Sequence, residues 1–239
     1  MSSQYDLLAP FYDDVIGSNS SSKKILLSSA KKYLKKNSNI LELGCGTAEN
    51  LTIFKNDYNL FGIDISAEML KHARKKIPTG KFYKGDIAKF ELKEKFDLIF
   101  CLYDTINHLE SFSQWISLFK SVEAHLNHTG IFIFDFNTLH KLNILSQSDI
   151  YPEFPENDVL LLNVNKKSRN MFNWDIKYFK HVSMAKYNLI QSRIPESAFE
   201  TSKILSGIKK HFKIIKTYNE NFKAVSKNSS RVFCIAQKI

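Results

Sequence analysis

Cysteine, proline and glycine are scarce in this 239-residue chain, at three, five and eight residues. With so few breakers, no Pro/Gly/Ser-rich stretch of useful length follows Ser22, which argues against a linker between two independent units and for one domain carrying an insertion. Cys45, Cys101 and Cys234 stand alone, with neither a C-x-x-C pair nor a neighbouring histidine pair, so no metal site is readable. Two of the three fall in predicted strands, as small buried residues of a reducing compartment do. The first 20 residues hold Asp6, Asp13 and Asp14 and lack a continuous apolar core, and no segment reaches the length of a membrane span. A soluble, cytoplasmic protein without a signal peptide or membrane contact is expected. Arginine is rare beside lysine although the net charge is +10, and planar recognition of phosphates and bases favours arginine. Lys23, Lys24, Lys31, Lys32, Lys35 and Lys36 fall on one amphipathic segment, the ordinary pattern of a solvated face, which argues against a nucleic-acid partner. What the chain does have is 44% hydrophobic and 13% aromatic residues, enough for a full core.

The informative stretch is Ile40-Leu41-Glu42-Leu43-Gly44-Cys45-Gly46-Thr47-Ala48, where an apolar run with one acid gives way to two glycines. It reads as a strand, a tight turn and the start of a helix whose amides at 48 to 51 face a ligand over the loop. Tyr58 to Asp64 reads as a second strand ending in a carboxylate 22 residues after Glu42, the βαβ spacing that sets an acid on a ribose diol. Ser66 caps the next helix, whose apolar positions Met69, Leu70, Ala73 and Ile77 keep a helical period until Pro78. A third strand, Lys81 to Lys84, ends at Gly85-Asp86-Ile87. Three strand ends in order thus carry Gly-Gly, Asp and Asp.

Glu42-x-Gly44-x-Gly46-x-Ala48 differs from the dinucleotide fingerprint G-x-G-x-x-G and resembles motif I of the class I S-adenosylmethionine-dependent methyltransferases. The resemblance implies S-adenosylmethionine as cofactor and S-adenosylhomocysteine as its product. It sets Asp64 on the ribose and Asp86 against the adenine amino group, with Glu42, Gly44, Cys45, Gly46, Ile65, Met69, Ile87 and Cys101 completing the expected contacts. One departure is Ala48, where most relatives have glycine; a methyl group there is expected to be tolerated. The segment Tyr5-Asp6-Leu7-Leu8-Ala9-Pro10-Phe11-Tyr12-Asp13-Asp14 is similar to one that folds over the cofactor in bacterial small-molecule members, which implies a hydroxyl from Tyr12, and from Tyr5, for the methionine carboxylate. A helix packing its aromatic face on the sheet edge is the other reading.

Ser21 to Lys36 is predicted as a helix, with Ile25, Leu26, Leu27, Ala30, Tyr33 and Leu34 as its buried stripe. Phe96 to Tyr103 reads as a central strand covered on both faces, leading into the polar set Asp104-Thr105-Ile106-Asn107-His108-Leu109 at a strand end, where open α/β sheets place ligands. Ser111-x-x-Gln114 is a capping-box signature opening a helix through Leu126, so 104 to 110 is a loop over the site. A fifth strand runs Ile131 to Thr138. Beyond it, Val159 to Val164, Met171 to Phe179 and an extended piece near Val182, with turns at Asn165 and Asn170, give hairpin signals. They resemble the lid of bacterial sugar and amino-acid N-methyltransferases. A helix near Glu196 to Lys209 and strands at Phe212 to Tyr218 and Val232 to Gln237 close the chain. The expected fold is a doubly wound, Rossmann-like α/β domain: a seven-stranded sheet, last strand antiparallel, with an inserted antiparallel β lid. Its parts are a helical cover (1–36), a cofactor-binding core (37–150), the lid (151–190) and a C-terminal helix with a strand pair (191–239).

The implied chemistry is in-line methyl transfer to a small polar acceptor, which needs alignment and exclusion of water rather than a metal. An amine or hydroxyl acceptor must lose a proton, and Asp104 and His108 are the candidate bases. A backbone-bonded loop histidine and a turn-capping aspartate are the alternative readings. Tyr103, Asn137, Trp174 and Tyr178 are the candidate pocket walls. The chain has Leu102-Tyr103-Asp104-Thr105 where amino-methylating nucleic-acid enzymes carry Asn/Asp-Pro-Pro-Tyr, and it lacks a Pro-Cys nucleophile. An RNA methyltransferase and a non-catalytic, cofactor-binding partner protein stay open as alternatives, as does a monomer or homodimer.

Overall fold

The computed structural model describes residues 4–13, 20–150, 157–184 and 186–239; Asp14 and residues 151–156, the first six of the expected lid, lie outside the described residues. Segments of four to twelve residues make the strands β1 (Asn39–Leu43), β2 (Asn59–Asp64), β3 (Lys81–Lys84), β4 (Phe96–Cys101) and β5 (Leu126–Asn137), joined near the C-terminus by β10 (Phe212–Asn219) and β11 (Arg231–Lys238). They form one sheet in the order β10-β11-β5-β4-β1-β2-β3. Only β11 runs against its neighbours, pairing antiparallel with both β5 and β10, as expected for the last strand.

Alternate residues of each strand enter two cores, as the period of two requires. Leu41, Ile63, Ile99 and Phe134 pack under α3 (Phe112–His125) and α5 (Thr201–Ile208). Ile40, Leu60, Leu98 and Ile133 pack under α1 (Ser20–Tyr33) and α2 (Ala67–Lys76) on the other face. Trp115 of α3 is fully buried and its indole N–H is satisfied by the carbonyl of Leu109 at 3.2 Å. The helix ends follow the sequence signals. Ser66 accepts the amide of Met69 at 3.1 Å, and Ser111 with Gln114 completes a reciprocal capping box. A short helix that the sequence did not announce, α4 (Leu139–Leu145), is capped by Thr138.

A second, four-stranded antiparallel sheet is formed by β6 (Asp149–Ile150), β7 (Val159–Lys166), β8 (Met171–Ser183) and β9 (Lys186–Ser197). Here three expectations are corrected. Val182 lies within β8, and the third lid strand starts only after the bend at Met184, whose φ is +45°. Glu196 belongs to β9 and not to a helix, because Pro195 and Glu196 are held extended by pairing with Asn173 and Phe172; the helix opens at Thr201. Asn165 is likewise in a strand, and the turn falls at 167–170, where the Lys167 and Ser168 amides both donate to the Met171 carbonyl. Among the described residues no helix is long and apolar enough to cross a membrane.

Candidate active site

The strand order reverses at β1 and β4, and the carboxyl ends of β1 to β4 converge on that switch point. Gly44 and Gly46 both have positive φ, +66° and +49°. At Gly44 a Cβ would lie 2.2 Å from the methyl of Thr105, so glycine is demanded by the loop after β4; at Gly46 its nearest neighbour would be the Tyr12 ring at 3.9 Å, so the backbone faces open space. The expected helix does not begin here. Ala48 is itself left-handed, with φ +64°, and its amide donates to the Cys45 carbonyl at 2.7 Å, so a turn leads into a short 3₁₀ segment, Asn50–Phe54.

Asp64 ends β2 and ties this loop to the next. One oxygen accepts the Gly46 amide and the other the Ser66 amide, both at 2.8 Å. Asp86, past β3, accepts the Ala88 amide at 2.8 Å. The segment 4–13 crosses above as a strap. Asp6 accepts the Ser66 hydroxyl at 2.5 Å, while Asp13 accepts Thr47 and Lys76, each at 2.6 Å. Its aromatic side chains therefore reach the cavity and the lid: Tyr5 and Tyr12 line the cavity, and Phe11 lies 5.3 Å from Tyr178 of β8.

Beneath the strap is a cavity of about 280 Å³. Of the candidate residues, Tyr12, Gly44, Gly46, Asp64, Ile65, Met69, Asp86, Ile87, Tyr103 and His108 line it. Glu42 and Cys45 line an adjoining recess of about 40 Å³ together with Thr47 and Asn50. Glu42 is 3% exposed; Asn50 donates to its Oε1 at 2.8 Å, while its Oε2 has no hydrogen-bond partner. Burial raises its pKa to about 8, against the Asn50 hydrogen bond. Cys101 does not reach either space, being fully enclosed in the core between β4 and α3. Trp174 and Tyr178 do not line the cavity either. Trp174 packs between two apolar clusters of the lid, and the Tyr178 hydroxyl donates to Asp158 at 2.5 Å. A wider, open depression of about 550 Å³ lies on the lid near the Asp175–Arg193 ion pair, remote from the strand ends.

At the far end of the cavity the backbone turns twice through the left-handed region, at Tyr103 (φ +59°) and Asp104 (φ +53°). What holds this strained pair is the Asp104 amide donating to Asp135 Oδ1 at 2.8 Å. Arg231, the first residue of β11, bridges Asp104 at 2.5 Å and Asp135 at 2.7 Å. Asn137 accepts from Arg231 at 3.1 Å and from Lys141 at 2.7 Å, so it belongs to this network and not to the pocket wall. Burial opposes ionisation of Asp104, but Arg231 and then Lys141 more than offset it and keep its carboxyl below the usual range. Glu196 lies alongside, 2% exposed, and burial followed by the Asp104 charge pushes its carboxyl well up. Asp104, His108 and Glu196 offer ligand atoms within 4.8 Å of one another. With Arg231 already on Asp104, they fit a proton-sharing cluster better than a divalent ion.

His108 Nδ1 is 3.3 Å from the Pro195 carbonyl, which can only accept, so Nδ1 carries the proton. Nε2 then accepts the Tyr5 hydroxyl at 2.8 Å. Burial lowers the imidazole's pKa despite Asp104. Glu196, Arg231 and Lys141, which the sequence reading did not place at the site, and Asn107 of the polar loop complete the surroundings of a neutral histidine at the cavity's end.

A family profile described as a methyltransferase domain matches residues 40–130. Over 97 residues the chain is 28% identical to the dTDP-3-amino-3,4,6-trideoxy-alpha-D-glucopyranose N,N-dimethyltransferase of Streptomyces venezuelae, covering 40% of this chain and 41% of that one. It is 32% identical over 134 residues to a carboxy-S-adenosyl-L-methionine synthase of Campylobacter jejuni, covering 52% and 56%. The chain thus spans about half the length of the curated relatives it matches. Among solved structures, an S-adenosylmethionine-dependent methyltransferase from Clostridium acetobutylicum superposes with a TM-score of 0.84 over 99% of both chains at 24% identity.

Proposed function

We propose that this chain, with its methyltransferase domain over residues 40–130 and the fold of the S-adenosylmethionine-dependent methyltransferases, methylates an amine of a small polar acceptor such as an amino sugar. The observation that carries the reading is a cavity with its adjoining recess. The recess is lined by Glu42, one of whose buried carboxyl oxygens has no hydrogen-bond partner, and the cavity is lined by the Gly46 backbone and the Asp64 carboxylate and ends on a neutral imidazole.

The residues fit the cofactor on these grounds. Glu42 Oε2 lacks a donor that an α-ammonium supplies, and Asp64 offers an acceptor at the place of a ribose diol. Gly46 leaves room for a close approach, and Tyr12 puts a neutral hydroxyl, its pKa raised by burial, on the strap above. When bound, S-adenosylmethionine supplies an electrophilic methyl group on a sulfonium.

The chain's own groups then orient the acceptor, exclude water and take a proton. The carboxylates of Asp104 and Asp64 act on the Tyr5 hydroxyl, a field that favours an ammonium over an anionic acceptor. His108 Nε2 takes the amine's proton once Tyr5 turns aside, while Nδ1–H stays on Pro195. Asp104, held by Arg231, serves as counter-charge rather than as base. Relatives named as amino-sugar dimethyltransferases support an amino sugar as acceptor.

Calorimetric titration with S-adenosylmethionine and S-adenosylhomocysteine, with NAD as control, followed by labelled methyl transfer into a panel of amino sugars and amino acids, tests the reading. We expect binding of both sulfur ligands, product mass increased at nitrogen, and His108→Ala lowering turnover at least about tenfold with cofactor affinity within a few fold. Preference for NAD, or transfer to RNA alone, would overturn it.

A further inference from the structure

Glu196 comes from the inner end of β9 and reaches the cluster behind His108. Its Oε2 accepts from the Asn137 amide at 3.3 Å, and its carboxyl and that of Asp104 offer oxygens within 4.8 Å of each other. Two carboxylates buried that close repel each other, so the pair holds one proton. Arg231 already holds Asp104 at 2.5 Å, which assigns the anion to Asp104 and the proton to Glu196. The neighbouring residue of the same strand end, Pro195, accepts His108 Nδ1–H and so fixes the tautomer.

We infer that Glu196 is a positioning residue for the methyl transfer proposed above: as a neutral acid donating to Asp104, it leaves a single fixed carboxylate facing His108, so that the imidazole remains an unprotonated base.

The charged and titratable groups around it decide the balance. Asp104 after β4 and Asp135 on β5 carry two negative charges, and Arg231 on β11 and Lys141 on α4 carry two positive ones. A neutral Glu196 leaves this set balanced. An ionised one adds an uncompensated buried charge, and with Asp64 on β2 it would draw His108 toward the imidazolium, which cannot accept a proton; Tyr5 on the strap stays neutral through burial. In the transfer, the acceptor N–H bond breaks, its electron pair becomes the attacking lone pair, and the proton forms the Nε2–H bond of His108. Asp104 then faces the imidazolium.

Glu196→Gln keeps a donor for Asp104 and an acceptor for Asn137 but never ionises, so it separates charge from shape. The His108 pKa is read by NMR on the free full-length chain, with the pH profile of methyl transfer alongside. We expect E196Q to leave the His108 titration within about 0.3 pH units of wild type and turnover within about threefold, Asp104→Asn to lower that titration by about one pH unit, and Glu196→Ala to lose at least about tenfold in turnover with a displaced acid limb. A fall of about one pH unit in E196Q means that a negative charge was removed, and overturns the proposal. So does an E196A variant matching wild type in both readouts. Should E196Q not fold, infrared difference spectroscopy of wild type against Glu196→Ala decides: a protonated-carboxyl C=O band at neutral pH that is lost in the variant supports the inference, and identical bands in the two proteins, as the Glu42 acid alone would give, overturn it. The NMR and infrared arms need no methyl transfer, so a chain that transfers nothing fails the reading of its function without deciding where this proton sits.

Discussion

Glu42 is where folding and ligand binding pull in opposite directions. Its folded pKa, about 8, lies above its ordinary 4.5, so between those values the folded chain binds a proton that the unfolded chain does not. Stability from this group is complete below pH 4.5 and is lost as pH rises through 8. At about 1.4 kcal/mol for each tenfold in acidity, the ceiling on that loss is about 5 kcal/mol. Glu42→Gln keeps the bond to Asn50 and cannot ionise. We expect thermal melts of E42Q to fall less than those of wild type between pH 6 and 9, with cofactor affinity lowered at least about tenfold because the ammonium loses its anionic partner. Equal pH dependence in both proteins would show that Glu42 is not the buried acid. Ala48 has a related tension: its left-handed backbone costs about 1 to 2 kcal/mol, of which burial of its methyl offsets about 0.8 kcal/mol.

At this scale, legibility tracks chain distance. Gly44, Asp64 and Asp86 were readable because each follows a strand at βαβ spacing, and the sheet brings successive strand ends to one crevice. Arg231 and Glu196 were not, because they reach the same place through a closing strand and an inserted hairpin, whose registers no local spacing encodes. Tyr178 looked like a pocket wall, but the strand period turns it toward Asp158 and Phe11.

Among the elements, the strap is the one whose contacts bear on ligand exchange. It is fastened through Asp6 to Ser66, the N-cap of α2, and through Asp13 to Thr47 and Lys76. Both fastenings lie beside the glycine loop, so the strap must loosen for a ligand to leave the cavity. Each hydrogen bond contributes about 0.5 to 1.5 kcal/mol. The double variant Asp6→Ala/Asp13→Ala should therefore raise the dissociation rate of S-adenosylhomocysteine about tenfold or more in stopped-flow displacement, with the sheet's melting little changed. An unchanged rate would mean that the ligand leaves by another route. The strap's aromatic pattern was legible, but not its target. Tyr5 and Tyr12 enter the cavity as the resemblance implied, whereas Leu8 and Phe11 pack on the lid rather than on the sheet edge.

For the molecule as a whole, the apolar clusters divide the chain differently from its sequence order. The seven-stranded sheet has two cores, one on each face, each covered by helices. Lid and strap share a separate, smaller cluster in which Leu8 packs with Leu160, Ile176, Tyr178 and Ile194, and Gln4 accepts the Ser192 hydroxyl at 2.8 Å. A cluster that small, on strands whose outer residues are exposed, opens at lower free energy than the sheet. Hydrogen exchange on the free chain should accordingly show residues 4–13 and the lid strands exchanging together and well before β1, β4 and β5. Because the unit is joined by packing, S-adenosylhomocysteine bound under the strap should slow exchange in the lid as well. Leu8→Ala, which removes a 6%-exposed side chain from the shared cluster, should abolish that transmitted protection while leaving the sheet's exchange unchanged. If the ligand protects the strap but never the lid, or if L8A leaves lid protection intact, strap and lid are independent parts, and the lid is held to the site by hydrogen bonds such as His108–Pro195, Asn107–Ser197 and Asn137–Glu196.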